Sequence, residues 1–123
     1  MRPNPLWALL LIAGCASAPT VPTTVNKIEA THDAGDGPKP LEIDEGKLMS
    51  CLQSAKSIGI GQAQKCQLSD GDYSVTLNGG ETVITVHTST QFTIDDQGFF
   101  EGACLYSMLH QAAHGKAPES GGC

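Results

Sequence analysis

The sequence predicts a small α+β domain: an antiparallel sheet of two to four strands, one helix before it, one after it, stapled by disulfides. Three observations predict this. Apolar residues recur every three or four positions from Leu48 to Ile58, and again from Leu105 to Ala112, which is the helical period. Between these stretches Tyr73, Val75 and Leu77, and then the even positions from Ile84 to Ile94, keep a period of two. Cys51, Cys66, Cys104 and Cys123 all lie in this region, 41–123, and an even count suits paired bridges. Helix, strands, helix in that order places the helices on one face of the sheet.

The first helix is expected over about 44–57. Leu48, Cys51, Leu52, Ala55 and Ile58 form its stripe, Asp44 and Glu45 suit the positive end of its dipole, and Gly59 and Gly61 stop it. The strand from Tyr73 ends in Asn78-Gly79, a hairpin signal because both residues take positive φ at low cost. Thr82 to Ile94 reads as one long strand or as two joined near Ser89. Asp95-Asp96-Gln97-Gly98 is a turn, and Phe99-Phe100 returns to the core. The last helix is expected over about 102–114, with Leu105, Met108, Leu109 and Ala112 inward and Gly115 as its stop.

A core of this size is marginal and needs staples. The four cysteines allow three pairings. Cys51–Cys66 with Cys104–Cys123 is favoured, because each closes a short loop around a helix end. A zinc site built from them lacks any C-x-x-C spacing.

The segment before residue 41 has a different character. Arg2 gives a positive start and Leu6 to Ala13 an apolar run, as in a signal peptide. The run ends in Ile12-Ala13-Gly14-Cys15, an aliphatic residue and two small residues before a cysteine. This resembles the lipobox of bacterial lipoproteins. The resemblance covers residues 1–15. It implies a signal peptide over 1–14, cleavage after Gly14, and acyl chains on Cys15 that hold the protein in a bilayer. Ala16 after that cysteine is similar to the pattern of lipoproteins sorted to the outer membrane, with the domain facing the periplasm. Ala16-Ser17-Ala18 offers an ordinary secretory cleavage site instead, although Pro19 hinders it. Residues 15–40, rich in Pro, Thr and loop chemistry, read as the lipidated cysteine and a disordered tether.

Composition narrows the function. The net charge is −6, with 7 basic against 13 acidic residues, and the only arginine is Arg2. Such a chain is not built to bind nucleic acid, where phosphate and guanine contacts draw on Arg and Lys. The longest apolar stretch, Leu6 to Ala18, is shorter than the ~20 residues that cross a bilayer.

Chemistry-bearing candidates are few. His110 and His114 share a face of the last helix, a spacing that can hold a metal. Gln111 follows His110, so the zinc-protease motif is absent, and a solvated helix end is the simpler reading. His87 reads as a surface residue. Asp70 and Asp72 flank Gly71, and Asp95 and Asp96 precede Gly98; both pairs read as turn residues. No nucleophile motif, phosphate loop or dinucleotide fingerprint occurs, so neither a catalytic residue nor a cofactor is expected. The leading reading is a non-enzymatic envelope lipoprotein with an acidic protein-interaction domain. The alternatives are an inhibitor or immunity lipoprotein against a cationic cell-wall hydrolase or toxin, and a small metal-binding or hydrolytic enzyme.

Overall fold

The computed structural model describes residues 19–20, 24–59, 61, 68–95 and 97–118. Among these residues nine elements run in the order β1 (Ile28–Asp33), β2 (Pro38–Leu41), α1 (Glu45–Ser54), β3 (Lys56–Ile58), β4 (Asp72–Leu77), β5 (Thr82–Val86), β6 (Gln91–Ile94), β7 (Gly98–Glu101) and α2 (Cys104–His114). The fold is α+β. Its seven strands form one sheet in the order β2-β1-β4-β5-β6-β7-β3, and every pairing is antiparallel. Among the described residues no helix is long and apolar enough to cross a membrane.

The sheet is larger than the two to four strands expected, and the surplus has two sources. β1 and all of β2 but Leu41 fall inside the stretch read as a tether. Residues 28–40 are therefore part of the sheet. Asp33 makes their hairpin: its Oδ1 accepts from the amides of Gly35, at 2.8 Å, and Gly37, at 3.2 Å. The same Asp, Gly and Pro residues that suggest a linker here build a tight turn. Pro38 and Pro40 are tolerated because β2 is an edge strand, where a missing N–H disrupts no further ladder. The other addition is β3. The helical stripe of the sequence runs to Ile58, but α1 stops at Ser54 and the chain turns to pair Lys56, Ser57 and Ile58 with β7. A tertiary ladder there overrides the local period.

Within β4 to β7 the period of two holds. Tyr73, Val75, Leu77, Ile84, Val86, Phe92, Ile94 and Phe100 are buried on one face. Thr82 to Ile94 is two strands, β5 and β6, joined through Thr88, whose Oγ1 accepts from the amides of Thr90 and Gln91. Asn78 (φ 51°) and Gly79 (φ 73°) take the positive φ their hairpin requires.

Leu48 and Leu52 of α1, with Leu105, Tyr106 and Leu109 of α2, close the same core. The two helices are joined by a disulfide between Cys51 and Cys104. This corrects the favoured pairings, since neither cysteine closes a loop at its own helix end. Both helices lie over one sheet face, so half-cystines far apart in sequence meet between them. Cys66 and Cys123 lie outside the described residues, as does Cys15.

One end of each helix is set by a single residue. Asp44 caps α1, its carboxylate accepting from the Lys47 amide at 2.9 Å. Gly115, in the left-handed region, ends α2 and donates its amide to the Gln111 carbonyl. Asp44→Ala is expected to cost about 1 kcal/mol. Urea denaturation checks it as a shift in midpoint at constant slope.

Candidate functional site

At one end of the sheet, where β1 finishes and β4 begins, the C-terminal turn of α2 lies over the ends of the strands. Three elements deliver polar side chains to this point. On β1, alternation turns Ala30 and His32 inward, and His32 sits directly opposite Tyr73 of β4. The two rings stack with centroids 4.4 Å apart. On α2, Tyr106, His110 and His114 recur at four residues and so share one side of the helix. Asp70 comes from the turn before β4. Its neighbour Gly71 has φ +113°, and a Cβ there would lie 2.3 Å from the Asp33 carbonyl oxygen. Only glycine lets this turn approach β1 so closely.

Asp70 is the hub. Its Oδ2 accepts from the Tyr73 hydroxyl at 2.5 Å and from the Tyr106 hydroxyl at 3.2 Å. His114 Nε2 is 3.3 Å from that oxygen and 3.2 Å from the Tyr73 hydroxyl. His110 Nε2 stands 3.8 Å from Asp70 Oδ2. Through its backbone carbonyl Asp70 also accepts from His32 Nε2 at 2.6 Å. The histidine rings crowd one another, His110 and His114 with centroids 4.4 Å apart and His32 and His114 5.2 Å apart.

The electrostatics follow from these contacts. Partial burial works against the charge on Asp70. The hydrogen bonds from Tyr73, its own backbone, His114 and Tyr106 together outweigh burial and hold the carboxyl below its ordinary value. The tyrosines move the other way. Burial, followed by the hydrogen bond to Asp70 and its charge, keeps the Tyr73 hydroxyl well above the ordinary phenol value. Burial and the Asp70 charge push Tyr106 up to about 12. Both phenols are thus fixed as donors, and the carboxylate as an acceptor whose negative charge is retained.

The sequence brings part of this cluster to light. His110 and His114 lie together as expected, but two partners that sequence spacing did not reveal join them. Asp70 is more than a turn residue, and His32 belongs to a strand. Asp72, paired with Asp33 across β1 and β4, stays outside the cluster. The open face of the sheet carries His87, which is no isolated surface residue: its Nε2 meets Thr93 Oγ1 at 2.9 Å across the strand pair, and burial lowers its pKa. Asp95 lies in the β6–β7 turn as expected, its amide donating to the Val83 carbonyl at 3.1 Å.

A second feature lies on the helix layer. A groove of about 510 Å³ runs between the start of α1 and the side of α2. Ile43, Met108 and Ala112 give it an apolar lining beside the Cys51–Cys104 bridge, Glu42 and Asp44 give it acidic groups, and among the described residues Lys47 is the one cation along it. Comparison with models of protein families, with curated proteins and with solved structures finds no match to this chain.

Proposed function

We propose that the chain is a bacterial envelope lipoprotein, anchored in the outer membrane through acyl chains on Cys15, whose acidic domain is a non-enzymatic module that binds a cationic protein segment. The groove between α1 and α2 carries this reading. An apolar floor bordered by Glu42 and Asp44 suits a segment that presents apolar side chains flanked by Lys or Arg. The overall charge works in the same direction. Without residues 1–14 the chain keeps six lysines against thirteen acids, so a basic partner is steered towards it. A cationic cell-wall hydrolase is one partner with this chemistry, and the module would then act as its inhibitor.

Two measurements test the proposal. Mass spectrometry of the protein from its native membranes is expected to find diacylglyceryl on an N-terminal Cys15; an unmodified cysteine or a retained leader removes the anchor. A photo-crosslinking residue at Met108 is expected to label a basic protein in those membranes, and the same residue at Thr85, on the open sheet face, is expected not to. Glu42→Lys and raised salt are each expected to reduce the Met108 product several-fold. Equal labelling at both positions, or an acidic partner, overturns the groove as the binding surface.

A further inference from the structure

We propose that His32, Asp70 and His114, with His110 beside them, bind a divalent transition-metal ion of the zinc or copper type. One ligand atom from each of His32, Asp70 and His114 lies within 4.8 Å of the other two. Metal–nitrogen and metal–oxygen bonds of about 2.0–2.2 Å at tetrahedral angles place ligand atoms about 3.3 Å apart. His114 and Asp70 already stand at 3.3 Å, and His110 and Asp70 at 3.8 Å. His32 donates through Nε2 to the Asp70 carbonyl, so its lone pair lies on Nδ1, and side-chain rotation has to close the remaining distance to a shared ion.

The orientation of His110 supports the assignment. A carbonyl oxygen can only accept, so the bond of 2.9 Å between His110 Nδ1 and the Lys116 carbonyl puts the ring hydrogen on Nδ1. In the neutral ring Nε2 then presents a lone pair towards Asp70 Oδ2. A ligating histidine held through its other nitrogen by a backbone carbonyl is the usual outer-shell arrangement of metal sites. A proton would satisfy one such acceptor pair. Three imidazoles gathered around one carboxylate suit a centre that accepts several ligands together.

The donor set also selects the class of ion. Imidazole nitrogens favour zinc, copper and nickel, whereas calcium and magnesium call for oxygen cages. The cluster is assembled from β1, the turn before β4, and α2. It is therefore distinct from a surface pair of histidines on one helix, and this difference is what the experiment must resolve.

The test is isothermal titration of the purified full chain, stripped of metal by a chelator, with zinc chloride and separately with copper, calcium and magnesium. One zinc per chain is expected, with calcium and magnesium showing no heat of binding. Asp70→Asn, His32→Gln and His114→Gln are each expected to weaken zinc binding at least tenfold, and His87→Gln to leave it unchanged. Nitrogen-15 spectra of the imidazoles in the unmutated protein provide a readout independent of variant folding. Ring signals of both His32 and His114 are expected to move on zinc addition. Absence of zinc and copper binding overturns the proposal. So does binding equally strong for calcium, or a His32 ring that does not respond, which would reduce the site to the His110–His114 helix pair.

Discussion

Replacing Cys51 and Cys104 together by alanine is expected to destabilise the domain by about 4 kcal/mol. The bridge spans 53 residues, and closing a loop of that length restricts the unfolded chain by about this amount in the chain-entropy description. A small domain holds only about 5–15 kcal/mol in total, so the loss takes a large share of it. Position adds to length. The bridge ties α1 to α2 across the helix layer, and the loop it closes contains β3 to β7. The core that remains, Leu48 and Leu52 against Leu105 and Leu109, keeps the helices apposed but no longer limits how far they separate on unfolding. Urea denaturation of the double variant should therefore show a lower midpoint and a steeper slope, because its unfolded state exposes more surface. Peptide mapping without reductant should recover Cys51 linked to Cys104. An unchanged midpoint would mean that the helix layer is held by packing alone.

How far the sequence reveals this fold depends on whether the signal is local. Tyr73, Val75, Leu77, Ile84 and Val86 alternate strongly because each inward position meets the apolar helix layer, and the Asn78-Gly79 hairpin fixes their register. Gly115 ends α2 by its own conformational freedom, so the boundary is visible one residue at a time. β1 is harder to read. Its inward residues are Ala30, small, and His32, polar, so alternation carries little hydrophobic contrast. β2 contains two prolines and is stable only because β1 supplies its partner. The disulfide and the histidine cluster share this non-local origin. His110 and His114 are four residues apart on a helix and legible as a pair. Asp70 and His32 are 38 residues apart and meet only after β1 and β4 align. One local signal exists: Ile28, Ala30 and His32 occupy alternate positions directly before the turn residues Asp33-Ala34-Gly35-Asp36-Gly37.

Tyr73 joins the core to the cluster, and its two functions separate by substitution. The ring is fully buried, stacks on His32 and meets Tyr106 edge to face at 5.4 Å. Tyr73→Ala is expected to cost about 3–5 kcal/mol, the range for removing a large aromatic from a core that cannot collapse around the gap. Tyr73→Phe keeps the ring and removes only the hydroxyl that donates to Asp70, with an expected cost of about 1.5–3 kcal/mol at neutral pH, as for a hydrogen bond to a charged group. The pH dependence distinguishes the two effects. Asp70 is held below its ordinary value in the folded protein, so its contribution is complete above the unfolded value near 4 and is lost as pH falls through the lower folded value. Removing the Tyr73 hydroxyl raises the folded value towards the unfolded one. Stability of Tyr73→Phe should then fall less steeply with acidification than that of the unmodified protein, and the gap between them should narrow below about pH 4. Tyr73→Ala lacks the same hydroxyl, so its curve should follow that of Tyr73→Phe in slope while lying below it throughout by the lost packing. Metal-free denaturation series from pH 6 to pH 2.5 measure all three. A gap between the unmodified protein and Tyr73→Phe that stays constant over this range would show that the hydroxyl does not act through the Asp70 charge.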